Sequence, residues 1–169
     1  MPKLRIPDNL SWYLSGFTDG EGSFNVSLRK KSDYRVGWQP VLSFNVSQRE
    51  KTILALMQKY FVGGIIKRRK DGLYSYDVTN PKIIQKTIIP FFEKYKFFSK
   101  NKHKNFLIFR QIARLMFEKK HLTLKGFKKL LILREKLNLG KGRTRKYTLK
   151  NVLESSETRR QSPPQVDMI

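Results

Sequence analysis

Glu21 ends a run that reads as a helix, and it follows two glycines spaced four residues apart, Gly16 and Gly20. A carboxylate at a helix C-terminus meets the negative end of the helix dipole. Glu21 is therefore either an ordinary exposed loop glutamate or a group with an electrostatic partner, and a divalent cation is such a partner. The four-residue spacing puts Gly16 and Gly20 on one helical face, with Tyr13 close to it. Glycine costs about 1 kcal/mol relative to alanine inside a helix. The stripe thus implies a neighbour packed close to this backbone, or a C-cap at Gly20 with Gly16 incidental. Two such helices related by a two-fold axis would bring the Glu21 carboxylates of two chains together. Like charges at close range repel, and a shared Mg²⁺ relieves that repulsion.

Residues 14 to 22 read Leu14-Ser15-Gly16-Phe17-Thr18-Asp19-Gly20-Glu21-Gly22. This stretch resembles the motif of the LAGLIDADG homing endonuclease family: a small residue second, glycine third, acids sixth and eighth, glycine last. The flank WYLSGFTDGEGSF resembles the common family form YLAGFxDGDGSF. The resemblance extends over Leu10 to Lys150. It implies the single-motif, homodimeric type, with Tyr13, Gly16 and Gly20 in the dimer seam. The implied activity is hydrolysis of both strands of a long, nearly palindromic double-stranded DNA site, leaving short 3′ overhangs. Mg²⁺ or Mn²⁺ would be held by the Glu21 carboxylate and the Gly20 carbonyl. The commoner family residue at Glu21 is Asp, so the carboxylate here is one methylene longer. Gln48 matches a polar residue that holds the water network around the nucleophile. Lys100 matches the cation beside the scissile phosphate, with Lys102 two residues on as its competitor. Arg143 resembles a C-terminal phosphate contact. A further basic residue is expected shortly after Gln48; Arg49 and Lys51 are candidates, although Thr52 occupies the matching position. Asp19 is expected to be structural or capping. The alternatives are an RNA-splicing maturase, a DNA-binding protein of this fold that does not cut, and a basic ribosomal or purely structural protein.

Composition agrees with a polyanionic partner. The chain carries 36 Lys and Arg against 13 Asp and Glu, a net charge of +23. Such a chain repels itself unless nucleic acid or another polyanion neutralises it. An acidic membrane surface is the weaker competitor. From Lys94 to Lys150 there are 19 Lys or Arg against two acids, Glu118 and Glu135. No cysteine is present, which excludes disulfides and thiolate metal sites. No apolar run approaches the roughly 18 residues of a membrane span, and the start MPKLRIPDNL lacks the apolar stretch of a signal peptide. The protein is expected to act where it is made, encoded in an organelle or working in a prokaryotic cytoplasm, without a membrane or a small-molecule substrate. His103 and His121 have no partner at metal-site spacing and are expected at the surface or on phosphate.

The elements that must position these residues follow from periodicity. Asp8 or Asn9 can cap a helix from Leu10 to Asp19, ended by Gly20 and Gly22. Ser23 to Lys30 alternates, with Phe24, Val26 and Leu28 on one side. Val41 to Ser47 alternates too, with Leu42, Phe44 and Val46 inward. Glu50 to Phe61 is an amphipathic helix with Ile53, Leu56, Met57 and Tyr60 on its stripe. A second hairpin joins Ile65 to Arg69 and Leu73 to Thr79 through Asp71-Gly72. Helices are expected at Pro81 to Tyr95, Lys102 to Lys119 and Leu124 to Leu139. The fold class is α+β: an α-β-β-α-β-β-α core, a curved antiparallel sheet with helices on one face, and C-terminal helices. The domain is expected to span residues 1–152, and the Ser-, Gln- and Pro-rich residues 153–169 to be a disordered tail. The other face of the hairpins would carry Asn25, Ser27, Arg29, Gln39, Val41, Ser43, Asn45, Lys67, Arg69, Ser75, Asp77 and Thr79. Polar side chains at period two on a β-ribbon suit the edges of bases in a major groove.

Overall fold

The computed structural model describes residues 6–139 and 145–161, and the side chains of these up to residue 156. A helix α1 (Asp8–Glu21) leads straight into β1 (Gly22–Lys30), which turns back into β2 (Trp38–Gln48). Then follow α2 (Thr52–Phe61), β3 (Ile65–Arg68) and β4 (Tyr74–Val78). The chain continues through α3 (Pro81–Ile83), a π turn (Ile84–Ile88), α4 (Ile89–Lys94), α5 (Lys100–Phe117), a 3₁₀ turn, α6 (Leu124–Lys136) and α7 (Leu149–Gln161). The four strands form one antiparallel sheet in the order β1-β2-β4-β3. Both hairpins therefore form as their alternation requires, and β2 joins them.

One face of the sheet carries the core. Phe24, Val26, Leu42, Phe44, Val46, Tyr76 and Val78 are buried there against α2, α4 and α5. The Phe24 ring lies 5.1–5.8 Å, centroid to centroid, from those of Phe44, Phe92, Phe97, Phe106 and Phe109. Each aromatic pair adds about 0.5–1.5 kcal/mol beyond its buried area, so the start of β1 rests on a rigid floor. In α2 the buried positions are Leu54, Met57 and Phe61. The stripe is rotated from the expected one, with Ile53, Leu56 and Tyr60 at its margin.

Several boundaries differ from expectation for local reasons. α1 starts at Asp8 behind Pro7 with no side-chain cap, and it runs two residues past Asp19. Pro90 has no N–H and would crowd the carbonyl one turn back. The chain widens just before it, and the Ile89 N–H bonds to the Ile84 carbonyl, five residues back.

The expected boundary at residues 152/153 falls inside α7. Val152 is fully buried in a second small core with Leu28, Val36, Trp38, Phe127 and Leu131. Ser156 Oγ donates to the Val36 carbonyl at 2.9 Å, and Trp38 Nε1 donates to Ser155 Oγ at 2.9 Å. Residues 153–156 are thus tied to the β1–β2 hairpin rather than disordered; their polar composition hid contacts made by two serines.

Arg134 supports the same hairpin from α6. Its side chain is buried, with Nε on the Val26 carbonyl and Nη1 on the Tyr147 carbonyl, both at 2.9 Å. Removing the guanidinium would leave two carbonyls without their donors, and a buried acceptor without a partner costs about 1–3 kcal/mol. Arg134→Met should lower the unfolding free energy by roughly 2–4 kcal/mol, measured by urea denaturation. A loss below about 1 kcal/mol would show that the two bonds contribute little.

Candidate functional site

The site is built where α1 becomes β1 without a loop. Ser11, Leu14, Ser15 and Thr18 face the core. Ser15 Oγ donates to the Tyr95 carbonyl at 2.8 Å and fixes the rotation of the helix. Tyr13, Gly16 and Gly20 then lie on the exposed side, beside Trp12. A Cβ added at Gly16 or Gly20 would meet nothing within 4 Å in the chain. The helix continues through Glu21, so Gly20 is not its cap. Gly22 is: its N–H bonds to the Thr18 carbonyl. A Cβ at Gly22 would sit 2.4 Å from Thr18 Cγ2 and 2.7 Å from the Thr18 oxygen, too close for any side chain. The last glycine of the motif is required inside the fold, whereas the two stripe glycines have no reason within the chain.

The segment before α5 closes over this junction. The Phe98 and Ser99 N–H groups donate to Asp19 Oδ2 at 3.1 and 2.9 Å, and the Ser99 hydroxyl donates to Asp19 Oδ1. Ser99 also caps α5, its oxygen accepting from the Lys102 N–H. The Lys102 ammonium returns to donate to the Gly22 carbonyl. Burial pushes the Asp19 carboxyl up, but the bonds from Ser99 and Phe98 and the nearby Lys102 charge outweigh it and hold the group below its usual value. Burial pulls the Lys102 ammonium down, opposed by the carboxylates of Asp19 and Glu21. Asp19 is therefore a tether. Lys102 reaches the corner beside Glu21; Lys100 opens α5 and is exposed. Glu21 itself is exposed at the corner.

Gln48 ends β2 on the same side of the sheet. Gly22 pairs with Val46, so Gln48 stands about 7 Å farther along its strand. Its Oε1 accepts from the Arg49 N–H at 2.8 Å. Gln48 pairs with Tyr74, and the Lys51 ammonium lies 4.7 Å from that ring centroid, while Arg49 is exposed. Among the described residues no three His, Asp or Glu come together as a cation cage. One chain thus offers part of a donor set: the Glu21 carboxylate and the backbone carbonyls of the last turn of α1.

Across the open face the register places Asn25 opposite Ser43, Arg29 opposite Gln39 and Ser27 opposite Val41. Asn45 sits between Ser23 and Asp77. Three expected positions are modified by their neighbours. Ser75 is buried between Ser47 and Lys67 and offers little surface. Asp77 pairs with Lys67 at 2.7 Å. Arg69 lies in the hairpin turn, engaged by Asp71 at 2.8 Å and by Ser47 Oγ at 3.4 Å. Ile65, opposite Asp77, lies on this face and is 68 % exposed; its parity with Lys67 and Arg69 was the available signal. Arg143 lies outside the described residues. His121 is not at the surface: it is buried beyond the end of α5, and burial pulls its imidazole pKa down against a backbone bond to Leu115.

The family model described as LAGLIDADG endonuclease matches residues 14–113. A probable intron-encoded endonuclease 2 of Neurospora crassa is 35% identical over 145 residues, covering 83% of this chain and 32% of that protein. The chain thus spans about a third of the length of that relative. The structure of an archaeal intron-encoded homing endonuclease, I-Vdi141I, complexed with DNA, superposes with a TM-score of 0.81 at 32% identity, covering 89% of this chain and 96% of that one. The I-LtrWI LAGLIDADG homing endonuclease bound to target DNA gives 0.73 at 35% identity, covering 78% of this chain and 45% of that one.

Asp19 carries a pH signature. Its folded pKa lies below the unfolded value of about 3.9. Its contribution to stability is therefore complete above that value and lost as pH falls through the folded pKa. The melting-temperature gap between the wild type and Asp19→Asn should be full at about pH 6 and narrow below about pH 4. A gap that stays constant into stronger acid would contradict the tether.

Proposed function

Because the chain belongs to the LAGLIDADG endonuclease family, we propose that it is a site-specific DNA endonuclease that cuts both strands of a long, nearly palindromic target as a homodimer. The observation that carries the reading is the corner at Glu21. A carboxylate and a half-buried ammonium share the junction of the motif helix with a sheet whose open face is polar. DNA bound to the two relatives of known structure supports the choice of substrate.

The residues divide the work by their chemistry. The Glu21 carboxylate and the Gly20 carbonyl are hard oxygen donors of the kind Mg²⁺ or Mn²⁺ takes. Such a cation, when bound, lowers the pKa of water and neutralises phosphate charge. The Gln48 amide both donates and accepts, which suits it to orient the attacking water. That water adds to phosphorus and the bond to the 3′ oxygen breaks. Lys102 stands where an ammonium offsets the charge that develops on the phosphate. Its bond to the Gly22 carbonyl fixes its position before DNA arrives. Asn25, Ser27, Arg29, Gln39, Ser43, Asn45 and Lys67 would meet base edges. Ile65 adds an apolar group of the sort that suits a thymine methyl.

The dimer rests on the stripe. Tyr13, Gly16 and Gly20 leave room for a second helix, and Trp12, Tyr13 and Phe98 expose apolar surface around it. A two-fold axis through this stripe brings two Glu21 carboxylates together and completes what one chain offers in part. The coverage of nearly all of the I-Vdi141I chain supports a unit of this size as one subunit.

Three outcomes test this reading. Glu21→Gln should bind DNA within about threefold of wild type and cleave at least about a hundredfold more slowly. Lys102→Met should lose about tenfold to a hundredfold, while Lys100→Met stays close to wild type. Both are measured by duplex cleavage in Mg²⁺ against EDTA; cleavage by Glu21→Gln at the wild-type rate would reject the assignment. Gly16→Leu or Gly20→Leu should hold the helices apart. Sedimentation should then show the 20.0 kDa monomer, and an unchanged dimer would reject the seam.

A further inference from the structure

Asn138 follows α6 with φ +54°, a left-handed conformation that asparagine tolerates and most residues avoid. Its N–H donates to Asn105 Oδ1 at 2.8 Å. Its side chain reaches β1, where Nδ2 donates to the Phe24 carbonyl at 2.7 Å and to Asn25 Oδ1 at 3.2 Å. On the other side, Asn25 Nδ2 donates to Ser23 Oγ at 2.9 Å.

The donor and acceptor order of this chain can run in only one direction. A backbone carbonyl only accepts, so Phe24 requires the NH₂ end of Asn138. That NH₂ requires the oxygen end of Asn25. The NH₂ end of Asn25 then faces Ser23, whose hydroxyl serves as acceptor. Rotating the Asn25 amide by half a turn would set two NH₂ groups against each other. Asn25 sits on the open face of the sheet, opposite Ser43, among the side chains read above as meeting base edges.

We propose that Asn138 is a specificity-positioning residue: it fixes the donor–acceptor polarity of the Asn25 amide and so determines which base pair the sheet accepts at that point. The inference rests on the DNA-recognition reading given above. An amide held in one orientation discriminates between bases. An amide free to rotate matches adenine in one pose and other edges in the other, and so loses selectivity. Asn138 need not touch DNA for this, and its effect is confined to the base pair that Asn25 reads.

The test is selection from a randomised duplex library at fixed salt, with wild type, Asn25→Ala and Asn138→Gly. Glycine keeps the left-handed backbone and removes only the side chain. Asn25→Ala should relax one position of the selected site. Asn138→Gly should relax that same position about tenfold and leave the others unchanged. Adding Asn138→Gly to Asn25→Ala should change nothing more there. An unchanged profile for Asn138→Gly, or a uniform loss across all positions, would overturn the proposal. Asn25→Asp gives a check that does not depend on the Asn138→Gly variant folding. Both clamping groups can donate to a carboxylate, so its melting temperature should match wild type and its preference should move toward cytosine. A marked drop in melting temperature would overturn the assigned polarity. Wild-type protein that selects no site would instead refute the DNA-recognition reading itself. A selected site that Asn25→Ala leaves unaltered would remove Asn25 as a reader, and the proposal with it.

Discussion

A closed circuit of hydrogen bonds runs from Asp19 through Ser99 into the first turn of α5, and back through Lys102 to the carbonyl of Gly22. It joins the end of α1, the start of β1 and the start of α5 at a single corner. Glu21 lies inside that circuit in the chain, between the tethered Asp19 and the clamped Gly22. Its backbone has little freedom, although its side chain is open to solvent. The carboxylate is held at a helix end where the dipole disfavours it, a cost that a bound cation would offset. Below the corner, the aromatic floor around Phe24 keeps β1 from shifting.

The same construction separates two demands that conflict in a small basic protein. With a net charge of +23, the molecule gains from a polyanion along much of its surface, but this attraction carries no sequence information. Reading bases requires oriented dipoles. On the DNA-recognition reading the sheet would supply them by pairing its polar groups internally: Lys67 with Asp77, Arg69 with Asp71 and Ser47, Asn25 with Ser23 and Asn138. Each pairing limits the poses that a side chain presents. Groups that would be floppy on an isolated hairpin are held before a ligand arrives, which lowers the ordering cost of binding.

Much of this was legible in the residues because strand alternation is local. Phe24, Val26, Leu42, Phe44 and Val46 turn inward wherever the strand is placed, so both hairpins and the sheet faces follow from period two. The glycine stripe was legible for a similar reason, since helical spacing is also local. What escaped depends on tertiary partners. Lys100, Lys102 and Lys104 alternate in one polar run, and only the cap at Ser99 and the path of α5 bring the Lys102 ammonium to the Gly22 carbonyl. Ser75 has the parity of an exposed residue but is covered by Ser47 and Lys67. Nothing in the residues of α7 announces a helix docked through Val152 and Ser156, and Asn138 gains its place only from Phe24 and Asn25, more than a hundred residues away.

On the function proposed above, two copies of this corner form one catalytic centre. Anomalous diffraction from Mn²⁺ in crystals of the protein bound to its selected duplex tests it most directly. Manganese is expected at the two-fold seam, within coordination distance of a Glu21 carboxylate from each of two chains. Manganese bound away from Glu21, or held by Glu21 of one chain with no second copy facing it, would contradict it.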